Sequence, residues 1–192
     1  MIQREHLLQA LARWRTDQIV VYTMTVIKEW PLYSQSPRDF YVGGAMGYAS
    51  SVGLGFALAQ PRTTVIVLDG DGSLLMNLGS LATIAAAKPA NIIHILLENG
   101  LYELSGRVPV PGADTVSWPD LARGAGLRNV YEFDDLACFI EALPDIARET
   151  GPAFINLKVA PGSREAMKVN QALHGAVDMV KALEKEFSAG RC

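Results

Sequence analysis

Apolar and polar positions along the chain fall into two alternating patterns. Short, mostly apolar runs occur at 19–22, 64–68, 92–97, 130–133 and 153–159, and most are rich in Val and Ile. Runs of that length and composition read as strands buried on both faces. Between them lie stretches with helical spacing. Residues 4–14 place Leu7, Leu8 and Leu11 on one face, and 25–30 form a short helix broken by Pro31. Residues 45–60 read as a helix despite Gly47, Gly53 and Gly55, and 73–88 as another, with Lys88 at its negative end and Pro89 as the stop. Residues 118–125 and 135–148 follow, the latter opening at Asp134-Asp135. A terminal helix spans about 164–187. On it, Val169, Leu173, Ala176, Val180, Leu183 and Phe187 form a narrow seam, either docked on its own domain or part of a subunit interface. Residues 99–116 read as irregular.

Strands alternating with helices predict an α/β fold, doubly wound, with a mostly parallel sheet flanked by helices. Residues 1–192 are expected to form a single domain of this kind, which 192 residues suffice to build. Ligands in such sheets sit at the carboxyl ends of strands, where the strand order reverses.

Composition narrows the function classes. With 49% hydrophobic and 19% charged residues the chain is not a disordered tail. A net charge of −3 gives no electrostatic drive toward nucleic acid or an anionic membrane. The longest weakly polar stretch, 43–59, is Gly-rich and short for a membrane span. The N-terminus lacks the apolar core of a signal peptide, so a cytoplasmic location is expected. Cys138 and Cys192 make neither a disulfide framework nor a metal cluster, and Cys138 reads as core. His94, inside a strand, reads as a hydrogen-bonded structural residue.

The chemistry concentrates at two strand ends. One strand runs into Asp69-Gly70-Asp71-Gly72-Ser73 with a helix starting at once. Gly70 and Gly72 permit close approach of a ligand to the backbone. The helix start offers N–H groups to a phosphate. Asp71 is a hard oxygen ligand for a divalent cation, and Asn99, at the end of the next strand, offers a neutral oxygen to the same ion.

Gly70-Asp71-Gly72, 25 intervening residues and then Glu98-Asn99 resemble the signature of thiamine diphosphate-dependent enzymes. The resemblance implies Asp71, the Asn99 side chain and the main-chain carbonyl of Leu101 as magnesium ligands. It places thiamine diphosphate along Gly70, Asp71, Gly72, Ser73, Asn99, Leu101 and Tyr102. Glu98 departs from the pattern at a position that does not usually bind the metal. Upstream, Gly43-Gly44-Ala45-Met46-Gly47-Tyr48-Ala49-Ser50-Ser51 resembles the segment that grips the aminopyrimidine in decarboxylases of this family. By that resemblance the Gly44 carbonyl accepts a hydrogen bond from the 4′-amino group, Ala45 lies against the cofactor, and Met46 is the apolar wedge that bends it into a V. Gly44 and Met46 are thus the expected catalytic contacts. Taken without that resemblance, the segment is a Gly-rich helix start with Met46 in the core.

Such enzymes also need a pyrimidine domain that holds a glutamate against N1′, and the chain has no second α/β unit to supply it. The resemblance is greatest to sulfopyruvate decarboxylase β subunits and phosphonopyruvate decarboxylases. It implies a carboxy-lyase acting on a small anionic 2-oxoacid, active as a hetero-oligomer with a pyrimidine-domain (alpha) subunit. A carboligase of the acetolactate synthase type, and a non-catalytic module binding magnesium and diphosphate, are the competing readings. The loop after Asn99 departs from these relatives: Val108 and Val110 stand where they carry Gln and Thr, and Arg107 is extra. Arg107 is either a solvated loop residue or a partner for a carboxylate, sulfonate or phosphonate.

Overall fold

The computed structural model of the protein describes residues 1–162 and 176–188. Among these, six strands form one parallel sheet: β1 (Ile19–Thr23), β2 (Asp39–Val42), β3 (Val65–Gly70), β4 (Ile92–Glu98), β7 (Asn129–Phe133) and β8 (Ala153–Lys158). Their spatial order is β2-β1-β3-β4-β8-β7. A two-stranded antiparallel hairpin of β5 (Leu101–Tyr102) and β6 (Val108–Pro109) stands apart.

The runs 65–68, 93–97 and 153–157 are apolar at nearly every position because both sheet faces are covered. On one face pack α1 (Arg4–Trp14), α2 (Val26–Glu29) and α7 (Leu136–Ile146), through Leu7, Leu8, Leu11, Val26, Phe139 and Leu143. On the other lie α3 (Ala49–Ala59), α4 (Asp71–Leu75), α5 (Gly79–Ala87) and α6 (Trp118–Gly124), through Leu54, Leu74, Leu81, Ile84 and Trp118. This is the expected doubly wound α/β architecture, with a fully parallel main sheet. After β1 the chain adds β2 on one side and β3 on the other, so the order reverses at β1/β3.

The edge strand β2 escaped the sequence reading. Its one signal is the pair Phe40-Tyr41, masked by Asp39 before it and Gly43-Gly44 after it. Asp39 is tolerated there because Arg15 and Ser34 take up its carboxylate. Residues 45–60 do not form one helix. Gly44 and Gly47 adopt left-handed φ of 81° and 82°, so α3 starts only at Ala49. Residues 73–88 also divide. The amides of Met76, Asn77, Ser80 and Leu81 each bond three residues back, and this tightened turn separates α4 from α5. The helix begins at Asp71, not Ser73. The stretch 99–116 contains the β5–β6 hairpin.

Cys138 is exposed, contrary to its reading as core; α7 turns Phe139, Leu143 and Ile146 inward instead. The terminal helix is described as α8 (Ala176–Ser188). Met179 and Leu183 are buried and Phe187 packs on the α3 side of the core. Val180 is 43% exposed, so it is not a buried member of the expected seam. Arg38 lies 5.1 Å over the Phe187 ring and pairs with Glu186, so this part of the helix docks on its own domain. Val169 and Leu173 lie outside the described residues.

Among the described residues, no helix is long and apolar enough to cross a membrane.

Candidate functional site

The carboxyl ends of β1, β3 and β4 open onto one cavity of about 110 Å³, at the β1/β3 reversal. It is lined from β1 by Thr23 and Met24, from β3 and α4 by Gly70 to Ser73, and from beyond β4 by Asn99, Leu101 and Tyr102. Met46 reaches it from the segment before α3.

Asp71 is buried, 3% exposed. Its Oδ1 accepts the Gly72 N–H at 2.8 Å, and its Oδ2 accepts the N–H groups of Asn99 (3.1 Å) and Gly100 (2.7 Å). Burial holds its carboxyl above the usual carboxylate range. The three N–H groups act the other way, and nearby Glu98 adds to the rise. A carboxylate kept costly by burial gains most from a cation beside it.

The parallel pairing of β3 and β4, with Gly70 opposite Leu97, brings the two strand ends together. The Asn99 Oδ1 accepts the Leu101 N–H at 2.8 Å, and a carbonyl oxygen has a second lone pair for a metal. In the hairpin, Gly100 bonds Val110 while Leu101 faces Pro109. Alternation in an antiparallel ladder therefore turns the Leu101 carbonyl outward, and Pro109 fits opposite because no donor is needed there.

The segment before α3 is tied to α4. Gly47 donates its N–H to Ser73 Oγ at 3.0 Å, and its carbonyl accepts from Asn77 Nδ2 at 2.9 Å. A Cβ on Gly47 would lie 2.8 Å from Asn77 Cβ, so only glycine fits. Met46 is half-buried at the cavity and outside both core clusters, which disfavours its reading as ordinary core. Gly43 and Gly44 are exposed and Ala45 half-exposed, and of this segment Met46 lines the cavity while these three do not.

One reading of the loop changes. Arg107 donates to the Gly162 carbonyl at 2.8 Å and is half-buried, so it ties the hairpin to the chain beyond β8. Val110 is buried against Gly72, while Val108 is exposed. Glu98 turns away from the cavity and accepts from Asn156 Nδ2 at 2.6 Å. His94 is buried and packs edge-on against Phe154. Its Nε2 lies 3.6 Å from Asp69 Oδ2, too far for a good hydrogen bond, so the histidine is structural but poorly satisfied.

Sequence reasoning missed two features. Met24 lines the cavity with a left-handed φ of 54°, which nothing in the sequence announces. Arg4, Glu29 and Glu103 form a buried ion network beside the cavity. Its signal was present: Arg4 stands on the same helix face as Leu7, Leu8 and Leu11, where a solvated charge does not belong.

Residues 22–157 match the family model for the thiamine pyrophosphate enzyme, C-terminal TPP binding domain. The chain is 44% identical over 138 residues to phosphonopyruvate decarboxylase of Streptomyces hygroscopicus, covering 71% of the chain and 34% of that protein. It is 41% identical over 165 residues to that of Streptomyces viridochromogenes, covering 85% and 40%. The chain thus spans well under half of these two relatives. It is 40% identical over 167 residues to sulfopyruvate decarboxylase subunit beta of Methanothermobacter thermautotrophicus, covering 86% of each. Among solved structures, a thiamine diphosphate-dependent 4-hydroxybenzoylformate decarboxylase of Rhodococcus jostii RHA1 superposes with a TM-score of 0.71. It has 20% identity over 84% of this chain and 33% of that one, and shares the fold.

Proposed function

The chain belongs to the thiamine pyrophosphate enzymes, through their C-terminal TPP-binding domain, and on that footing we propose that it is the diphosphate-binding subunit of a magnesium-dependent 2-oxoacid decarboxylase. One observation carries the reading. Asp71 Oδ2 accepts the backbone amides of Asn99 and Gly100, so the backbone that carries Asn99 is held against the Asp71 carboxylate. Asp71, Asn99 and the Leu101 carbonyl then hold magnesium, whose preference for oxygen ligands they match. Gly70, Gly72, Ser73 and Tyr102 border the diphosphate. First-turn amides of α4 lack intrahelical backbone partners, although that of Gly72 is taken by Asp71 Oδ1.

When bound, thiamine diphosphate supplies the carbanion stabilisation that loss of CO2 from a 2-oxoacid requires. The chain's own work is orientation. The Gly44 carbonyl accepts the 4′-amino hydrogen. Ala45 borders the pyrimidine, and Met46 separates the two rings, as an unbranched polarizable side chain can. The glutamate for N1′ comes from a pyrimidine-domain partner. The beta-subunit relatives, of which the chain covers 86% in one case, support this division of labour. Relatives named for sulfopyruvate and phosphonopyruvate support a short, doubly anionic 2-oxoacid as substrate.

Calorimetric titration of thiamine diphosphate with magnesium into the assembled protein tests the site. Binding is expected in the parent and lost in Asp71→Asn and in Asn99→Ala. Unchanged affinity in either variant removes the assignment.

A further inference from the structure

We infer that Arg4, at the start of α1, is a positioning residue that sets the metal-binding loop through Glu103; the inference rests on the magnesium and diphosphate reading of the site. Glu103 follows Tyr102 directly and opens the short 3-10 turn Glu103–Ser105. Its side chain is 1% exposed, and both carboxylate oxygens are engaged. Oε2 accepts from Arg4 Nη1 at 2.7 Å, and Oε1 accepts from the Gly162 N–H at 2.5 Å. Glu103 therefore cannot swing without breaking a buried contact, and a shift of Glu103 is passed to Tyr102 and Leu101, one and two residues before it.

The anchor end is stiffer. Arg4 Nε and Nη2 grip the two oxygens of Glu29, at the end of α2, at 2.7 and 2.8 Å. This planar two-point grip fixes the guanidinium. Just before α1, Ile2 is bridged to Val159: its N–H donates to the Lys158 carbonyl and its carbonyl accepts from Ala160, both at 2.8 Å. Arg4 thus stands two residues after a backbone bridge to the end of β8, whereas Glu103 extends from a hairpin with two-residue strands. If the cation is lost, two buried carboxylates face each other, and the less supported one yields. That displacement falls on the Leu101 carbonyl and on Tyr102. Arg4, Glu103 and Leu101 line the same cavity.

The test compares parent, Arg4→Lys, Arg4→Met and Glu103→Gln, each co-expressed with the partner subunit. The readouts are magnesium affinity at saturating thiamine diphosphate, by calorimetry, and the melting temperature without ligands. Loss of a group that orients metal ligands weakens metal binding on the order of 10- to 100-fold. That loss is expected in Arg4→Met, with a smaller one in Arg4→Lys and Glu103→Gln. If Arg4→Met does not fold, the two milder variants decide. A lower melting temperature with parental magnesium affinity in both would mean a purely structural network and overturn the inference. Asp71→Asn is the control. If the parent shows no magnesium-dependent binding, the site reading fails and takes this inference with it. If the parent binds, Asp71→Asn does not, and the Arg4→Lys and Glu103→Gln variants match the parent, only this inference falls.

Discussion

Tyr102 occupies the space that a side chain at Gly72 would need: a Cβ there would lie 2.4 Å from Tyr102 Cε1 and 2.6 Å from Cδ1. The glycine of the strand-end motif is thus matched to a residue 30 positions later, across the site. Gly72→Ala is expected to push the ring aside and to cost about 1–3 kcal/mol in stability, as overpacking does. Adding Tyr102→Ala should make the cost of Gly72→Ala smaller. A double-mutant cycle by thermal or urea unfolding measures this. Additive effects would show that the ring is not the obstacle.

Met46 lines the cavity without belonging to the core. Met46→Ala in the assembled enzyme is expected to lower kcat strongly while changing thiamine diphosphate affinity little, because the diphosphate contacts stay in place. Steady-state kinetics beside a calorimetric binding curve separate the two. Parental kcat would make Met46 a packing residue.

The chain alone is expected to show no decarboxylase activity toward sulfopyruvate, phosphonopyruvate or pyruvate, even with thiamine diphosphate and magnesium. Activity should appear on adding a pyrimidine-domain partner, in an assembly with at least two copies of each. Assays of the chain with and without the adjacent-gene product, and the mass of the complex, check this. Full activity from the single chain would place the relay glutamate within it.

Asp135 caps α7, accepting the Cys138 N–H at 3.0 Å, and this bond holds its carboxyl below the usual carboxylate range. A depressed folded pKa contributes stability above the unfolded pKa, and that contribution is lost as pH falls through the folded one. Asp135→Ala should therefore lower the melting temperature at neutral pH, and its difference from the parent should shrink in acid below about pH 4. A pH-independent difference would mean that the cap does not act through its charge.

The network around Arg4 shows where sequence reading stops. Arg4 on an apolar helix face was an anomaly visible in the chain, but its partners Glu29 and Glu103 are 25 and 99 residues away. Nothing local identifies them. The division of 73–88 and the late start of α3 have a related cause. Helical spacing is a local signal, whereas Asn77 bonding the Gly47 carbonyl is a contact between segments 30 residues apart.

The sequence by itself determined five of the six strands of the main sheet and the fold class they build. Short apolar runs bounded by turn residues read as strands covered on both faces, and Gly-Asp-Gly at one strand end with Asn99 at another points to the edge proposed to carry the chemistry. Tertiary structure alone decided how those ends meet: the β3–β4 register sets Asp71 against the amides of Asn99 and Gly100, and the hairpin turns the Leu101 carbonyl outward. Strand and helix identity follow from interactions within a few residues. The relative placement of two strand ends depends on hydrogen bonds and packing between residues far apart in the chain, which no local pattern encodes.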